Sequence, residues 1–318
     1  MSLVLVILAK IVPIFLVMAA GFVAFSARWM DEGFVRTANQ ITFRIALPSL
    51  VFLSVAHADF SRGAPLAETV VFTVALGIAT AVGYAISAIL RFTAPRRASF
   101  VQGAIRGNLA IVALAVFQQV LGPSSIPRAA LYLAFFMLIH NLVGIIVLSD
   151  AAPAGEETQS LLRRLWKTLF ASLANPLMIA IYLGIIVDLT HLPLPRLLED
   201  AFGYLGQLAL PLALLGIGGA MKEYSRARHL GPAFAASVIK LLVMPAVALG
   251  AGLLLHLSME TLLMVVVFAG SPAAVATYSL ADGMGADRDT AGSIVMVSHA
   301  LCILTITAFI VIVRTVAS

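Results

Sequence analysis

The sequence predicts an all-α polytopic membrane protein: ten transmembrane helices arranged as two inverted five-helix repeats. Three observations carry this. Of 318 residues, 61% are hydrophobic and 11% charged, with a mean hydropathy of +1.05; a soluble domain carries roughly 25% charged residues. Ten segments are apolar enough, and at about 20 residues long enough, for a helix to cross a bilayer. A single shift of 163 residues lays landmarks of the first half on the second.

The ten segments are 3–25, 34–57, 66–90, 98–121, 127–149, 169–190, 199–220, 230–257, 260–281 and 290–314. The first run, Leu3 to Phe25, has no basic residues before it and is too long for a signal-peptide core, so a retained helix is expected. Connections are short. The longest, "SDAAPAGEETQSLLRRLWK" at 149–167, falls at the midpoint. The expected division is a first repeat over 1–150, a cytoplasmic linker over 151–168 and a second repeat over 169–318, with no soluble domain. The single cysteine, Cys302, excludes an internal disulfide and leaves no cysteine-based metal site; it reads as a small core residue.

Orientation follows from the loop cations. Loops after segments 1, 3, 5, 7 and 9 hold twelve Lys and Arg, among them Arg28, Arg96, Arg97, Arg163, Lys222, Arg226, Arg228 and Arg288; the opposite loops hold four, Arg62, Arg128, Arg196 and Arg314. The twelve are expected in the cytoplasm, with both termini outside and the chain in the cell (inner) membrane. This scatter of cations in short loops accounts for the net charge of +5, and no nucleic-acid partner is implied. The bilayer is the partner.

Under the shift, Pro13 falls on Pro176, Gly21 on Gly184, "ALP" at 46–48 on "ALP" at 209–211, Gly107 on Gly270 and Gly122 on Gly285. Each half then holds five helices. Five is odd, so the second half enters the membrane the other way up, as in many secondary transporters.

The shift also pairs two interruptions. "VVVFAGSPAAVATYSLADG" at 265–283 carries Gly270, Ser271 and Pro272 inside an apolar run, and its partner "IRGNLAIVALAVF" at 105–117 carries Gly107 and Asn108. Proline lacks an N–H and clashes with the preceding turn; glycine reaches backbone angles that other residues resist. A helix broken in lipid survives only where protein or enclosed water satisfies the freed groups. The break leaves N–H groups that attract anions and carbonyls that attract cations or donors. These two segments are the expected substrate site. Pro13, Pro48, Pro176, Pro211 and Pro245 are read as kinks or close-packing devices.

The order "RGN" (106–108), "NPLMIAIYLG" (175–184), "LALPLALLGIG" (208–218), "KLLVMP" (240–245) and "SPAAVATYSLADGMGAD" (271–287) resembles the auxin efflux carrier family in its bacterial branch, over essentially the whole chain. The resemblance implies a fold similar to bile-acid/sodium symporters, in which helices 4 and 9 cross. Helices 1, 2, 6 and 7 would form a scaffold, and helices 3–5 and 8–10 a transport domain moving as an elevator. It implies a homodimer through the scaffold and small organic anions as substrates, such as malate, malonate or auxin. It also makes Asn141 and Asn175 substrate contacts. The chain departs from the family where a Gly-x-Pro usually follows "RGN": Ala113, Leu114 and Ala115 stand here, so helix 4 lacks its proline.

Ionisable groups within a membrane are expensive and usually functional. Arg106 adjoins the helix 4 break and reads as a counter-charge for an anion or as a snorkelling cation. Lys240 lies deep in segment 8, with a structural or coupling role favoured. Lys10 and Arg44 read as structural. Tyr278 and Thr277 follow the helix 9 break and either face the site or pack. His299 follows Ser298, but neighbouring helix residues point apart and make no dyad. No catalytic set and no metal site is read, and no cofactor is expected. No Asp or Glu is expected at mid-membrane, so proton coupling through a buried acid is not supported; sodium coupling and uniport stay open. The leading expectation is a secondary active or facilitative carrier of a small organic anion and not an enzyme. The alternatives are a sodium-coupled bile-acid-type symporter, or a sensor that kept the fold and lost transport.

Overall fold

The computed structural model describes residues 2–58, 63–151, 161–224 and 229–316. Residues 152–160 of the linker, and Arg62, Arg226 and Arg228 of the charge count, lie outside the described residues. The described residues are mainly helical: α1 (Leu3–Ser26), α2 (Glu32–Ile41), α3 (Leu47–Ala56), α4 (Leu66–Ile89), α5 (Ala94–Ile105), α6 (Leu114–Val120), α7 (Ile126–Ser149), α8 (Leu161–Leu173), α9 (Pro176–Thr190), α10 (Arg196–Glu223), α11 (Leu230–Val238), α12 (Met244–Leu254), α13 (Met259–Gly270), α14 (Ala276–Gly283) and α15 (Arg288–Val316). Among the described residues the one β feature is an isolated antiparallel bridge between Gly107 and Ala273.

Among the described residues, seven helices are long and apolar enough to cross a membrane. Two of these are composite: π-helical turns at Thr42–Ala46 and Ile239–Val243 join α2 to α3 and α11 to α12. Pro48 and Pro245 sit at the starts of α3 and α12, and each π turn precedes the proline whose missing N–H disturbs the regular ladder. The pair α8 and α9 makes an eighth span if counted as one, but it bends by 53°. The bend lies at Ala174–Asn175. A residue before proline avoids helical angles, and Asn175 is extended, with its side chain accepting from the Leu177 N–H at 2.9 Å. Segment 6 was expected to begin at 169. Instead the helix starts at Leu161 and runs through "LLRRLWKTLFASL", which carries its cations on one face, as an interfacial helix does.

Two packings dominate: α1 along α10, and α3 along α9. Under the 163-residue shift these exchange with one another, because segment 1 falls on 6 and segment 2 on 7. The first is backbone against backbone. A Cβ on Gly218 would collide with the Met18 carbonyl, and one on Gly21 with that of Leu215. Small residues permit such approach where apolar burial cannot drive association.

The stretches of α5 and α13 that lead to the interruptions, Ala98–Ile105 and Thr261–Gly270, are wholly buried. Aromatic rings fix them. Phe136 of α7 stacks on Phe72 of α4 at 4.1 Å, and Phe268 of α13 meets Phe136 at 5.3 Å and Phe117 of α6 at 4.9 Å. The interrupted segments thus lie at the centre of the molecule.

Candidate functional site

Segments 4 and 9 are both broken. In segment 9, α13 ends at Gly270 because Ser271, preceding Pro272, is extended (φ −63°, ψ 143°), and α14 begins at Ala276. In segment 4, α5 ends at Ile105, Arg106 is extended (φ −76°, ψ 99°), and a π-helical turn at Leu109–Ala113 leads into α6. The break forms without the family's proline.

The two breaks satisfy one another. The Asn108 N–H donates to the Pro272 carbonyl at 2.7 Å, and the Ala274 N–H donates to the Arg106 carbonyl at 2.9 Å. Two antiparallel extended stretches thus form a minimal ladder at the crossing. This is the protein-supplied satisfaction that a broken membrane helix requires.

Side chains complete the set. His140 of α7 meets the Ile105 carbonyl at 2.7 Å through Nε2; a carbonyl only accepts, so Nε2 carries the hydrogen. Lys240 Nζ donates to the Ala269 carbonyl. Both half-helix C-termini, the electronegative ends, are therefore capped by a side-chain donor. Ser271 Oγ donates to the Phe268 carbonyl at 2.9 Å, and Ser298 Oγ accepts the Ala273 N–H at 3.0 Å. A Cβ on Gly107 would lie 2.5 Å from Ser271 Oγ and 3.1 Å from Lys240 Nζ, so only glycine fits there.

Beside the crossing lies a cavity of about 220 Å³, bounded further out by Leu148, Thr168 and Leu280. Arg106, Gln102, Asn141, Ser172 and Asn175 line it. Arg106 Nη2 donates to Asn141 Oδ1 at 2.9 Å, and Asn141 Nδ2 donates to Ser172 Oγ at 3.1 Å. Buried Nε of Arg106 and both amide atoms of Gln102 have no protein partner. Gly144 makes the room: a Cβ there would lie 3.2 Å from Arg106 Nη1 and 3.3 Å from Gln102 Oε1. The result is a partly unpaired guanidinium and an unpaired amide beside an open cavity. A guanidinium fork suits a carboxylate.

The sequence-derived residues fall into three places. Gly107, Asn108, Gly270, Ser271, Pro272 and Lys240 meet at the crossing. Arg106, Asn141 and Asn175 line the cavity next to it. Tyr278 is elsewhere, stacked on Tyr224 at 4.4 Å and packed beside Gly292. Lys10 caps the end of α6 by donating to the Val120 carbonyl at 3.2 Å, and Arg44 is exposed away from the site. Sequence reasoning missed Gln102, although it precedes Arg106 by four residues and shares its helix face. It also missed Ser298 as a backbone partner, since nothing in sequence ties it to residue 273. Glu68 was missed as well. It is buried in the first turn of α4, accepting from Tyr132 OH at 2.7 Å and pairing with Arg128 at 3.4 Å.

A multi-pass helical membrane protein with two broken spans joined at its centre defines a transport protein by class. A family model described as membrane transport protein matches residues 6–310, and the chain belongs to that family, the auxin efflux carriers. An uncharacterized transporter of Methanothermobacter thermautotrophicus is 23% identical over 285 residues, covering 87% of this chain and 88% of that one.

Proposed function

We propose that the protein is a secondary carrier of a small organic anion, and that the anion's carboxylate docks on Arg106 and Gln102 beside the crossing. The observation that carries this is the Arg106 guanidinium at the cavity wall, whose Nε is buried without a protein partner next to the equally buried and unpaired Gln102 amide. A buried donor left unpaired is costly, and a carboxylate oxygen satisfies it. Asn108, whose side chain makes no hydrogen bond among the described residues, is the next contact.

In this reading α1, α2–α3, α9 and α10 are the scaffold, and α4–α7 with α11–α15 the moving unit. The support is the close α1–α10 and α3–α9 packing, together with a second cavity of about 380 Å³. That cavity lies between Pro13, Leu50 and Pro211 on one side and Ala115, Gln118 and Gln119 on the other, where the two units would slide. The basic face is the cytoplasmic one.

The test is uptake of labelled mono- and dicarboxylates into proteoliposomes, under imposed gradients and membrane potential. Arg106→Gln is expected to lower accumulation strongly while the protein stays folded. If no carboxylate moves under any gradient, the reading fails.

A further inference from the structure

Lys240 is fully buried, with 0% of its surface exposed, at the middle of the α11–α12 span. Its Nζ donates to the Ala269 carbonyl and lies 3.5 Å from Met244 Sδ. Among the described residues no Asp or Glu pairs with it. A buried ammonium without a carboxylate is unusual, because burial of a charge normally demands an opposite charge. What it has instead is the last turn of α13, where free carbonyls and the helix dipole gather negative potential.

That end of a broken helix is where a transporter can coordinate a free monovalent cation. Its oxygens are already engaged. Ala269 O takes Lys240, Phe268 O takes Ser271 Oγ, Pro272 O takes the Asn108 N–H, and Gly270 O faces the Cys302 thiol at 4.0 Å. Across the crossing, Ile105 O takes His140 and Arg106 O takes the Ala274 N–H. A sodium ion entering here would find these carbonyls already hydrogen-bonded and would face the Lys240 ammonium at close range, an unfavourable like-charge contact in a low-dielectric interior.

We propose that the Lys240 ammonium is a tethered cation: it fills the position at the helix 9 break that a coupling ion would take, and so makes the carrier independent of sodium. The inference uses the carrier reading only for its consequence in transport, since occupancy of the crossing is a property of the purified protein.

The experiment is therefore done without substrate. Purified full-length protein is assayed for ²²Na⁺ binding, and its thermal midpoint is measured in NaCl, KCl and choline chloride at equal ionic strength. For the native chain the expected result is no saturable sodium binding and one midpoint in all three salts. Lys240→Ala, which empties the position, is expected to melt lower and to be raised selectively by NaCl or methylammonium chloride, not by choline. Saturable sodium binding, or a sodium-specific rise in midpoint, in the native chain overturns the proposal. So does a folded Lys240→Ala protein that no small cation stabilises. If the alanine variant does not fold, the native-chain arm decides alone. Absence of carboxylate uptake would count against the carrier reading and leave this result unaffected.

Discussion

The backbone N–H of Asn108 donates to the carbonyl of Pro272 at 2.7 Å, across 164 residues of sequence, and with the return bond from Ala274 to Arg106 it joins two broken helices into one structure. Neither break is tolerable in lipid alone. Each supplies the donors and acceptors that the other lacks.

Gly107 tests that joint. Gly107→Ala places a methyl 2.5 Å from Ser271 Oγ and 3.1 Å from Lys240 Nζ, both buried side chains. Overpacking of this kind costs about 1–3 kcal/mol. A lower thermal midpoint is expected, with a larger loss of uptake than at Gly77, where an added Cβ meets nothing within 4 Å.

Arg106 tests the anion cavity. A hydrogen bond to a charged group contributes about 1.5–3 kcal/mol, so Arg106→Gln should weaken carboxylate binding by roughly tenfold or more. Gln102→Leu should weaken it less, and the apolar side chain should leave the thermal midpoint level or higher, because two unpaired buried amide atoms are removed. Equilibrium binding of labelled carboxylate and a thermal melt read the two effects separately.

Glu68, Tyr132 and Arg128 form a buried group at the other face. Tyr132→Phe removes the 2.7 Å bond to Glu68 Oε1 and leaves that carboxylate with Arg128 alone. A loss of about 1–3 kcal/mol is expected, visible as a lower melting midpoint. Rescue by the additional change Glu68→Gln would show that the carboxylate's missing partner is the cause.

Asp287, in the loop before α15, gives a pH signature. Burial pushes its carboxyl up, but bonds from the Thr290 N–H at 3.0 Å, the Thr290 hydroxyl at 2.9 Å and Arg96 Nε at 3.2 Å outweigh it and hold the group below its ordinary 3.8. A depressed folded-state value means stability that is complete above 3.8 and lost as pH falls through the folded value. Asp287→Asn should therefore lower the thermal midpoint at neutral pH and flatten its decline below 3.8. A midpoint that falls with acid as steeply as in the native chain would exclude this role.

The fold class was legible in sequence: a chain this apolar, with runs of about 20 apolar residues, is a helical membrane protein because a bilayer fixes helix length. The breaks at Gly107–Asn108 and Gly270–Pro272 were legible too, since glycine and proline act on their own backbone. The linker was read less well. The helix from Leu161 and its bend at Asn175 depend on an amphipathic face, which a search for fully apolar runs passes over.

What the sequence by itself determined is that the chain is a helical membrane protein and that segments 4 and 9 are interrupted, because these depend on local composition and backbone angles. Which group satisfies which was decided only by the tertiary structure. Ser298 for Ala273, His140 for Ile105, Lys240 for Ala269 and Gln102 beside Arg106 are pairings set by helix packing. Hydrogen bonds depend on distances of about 3 Å, and no spacing along one chain encodes them between separate helices.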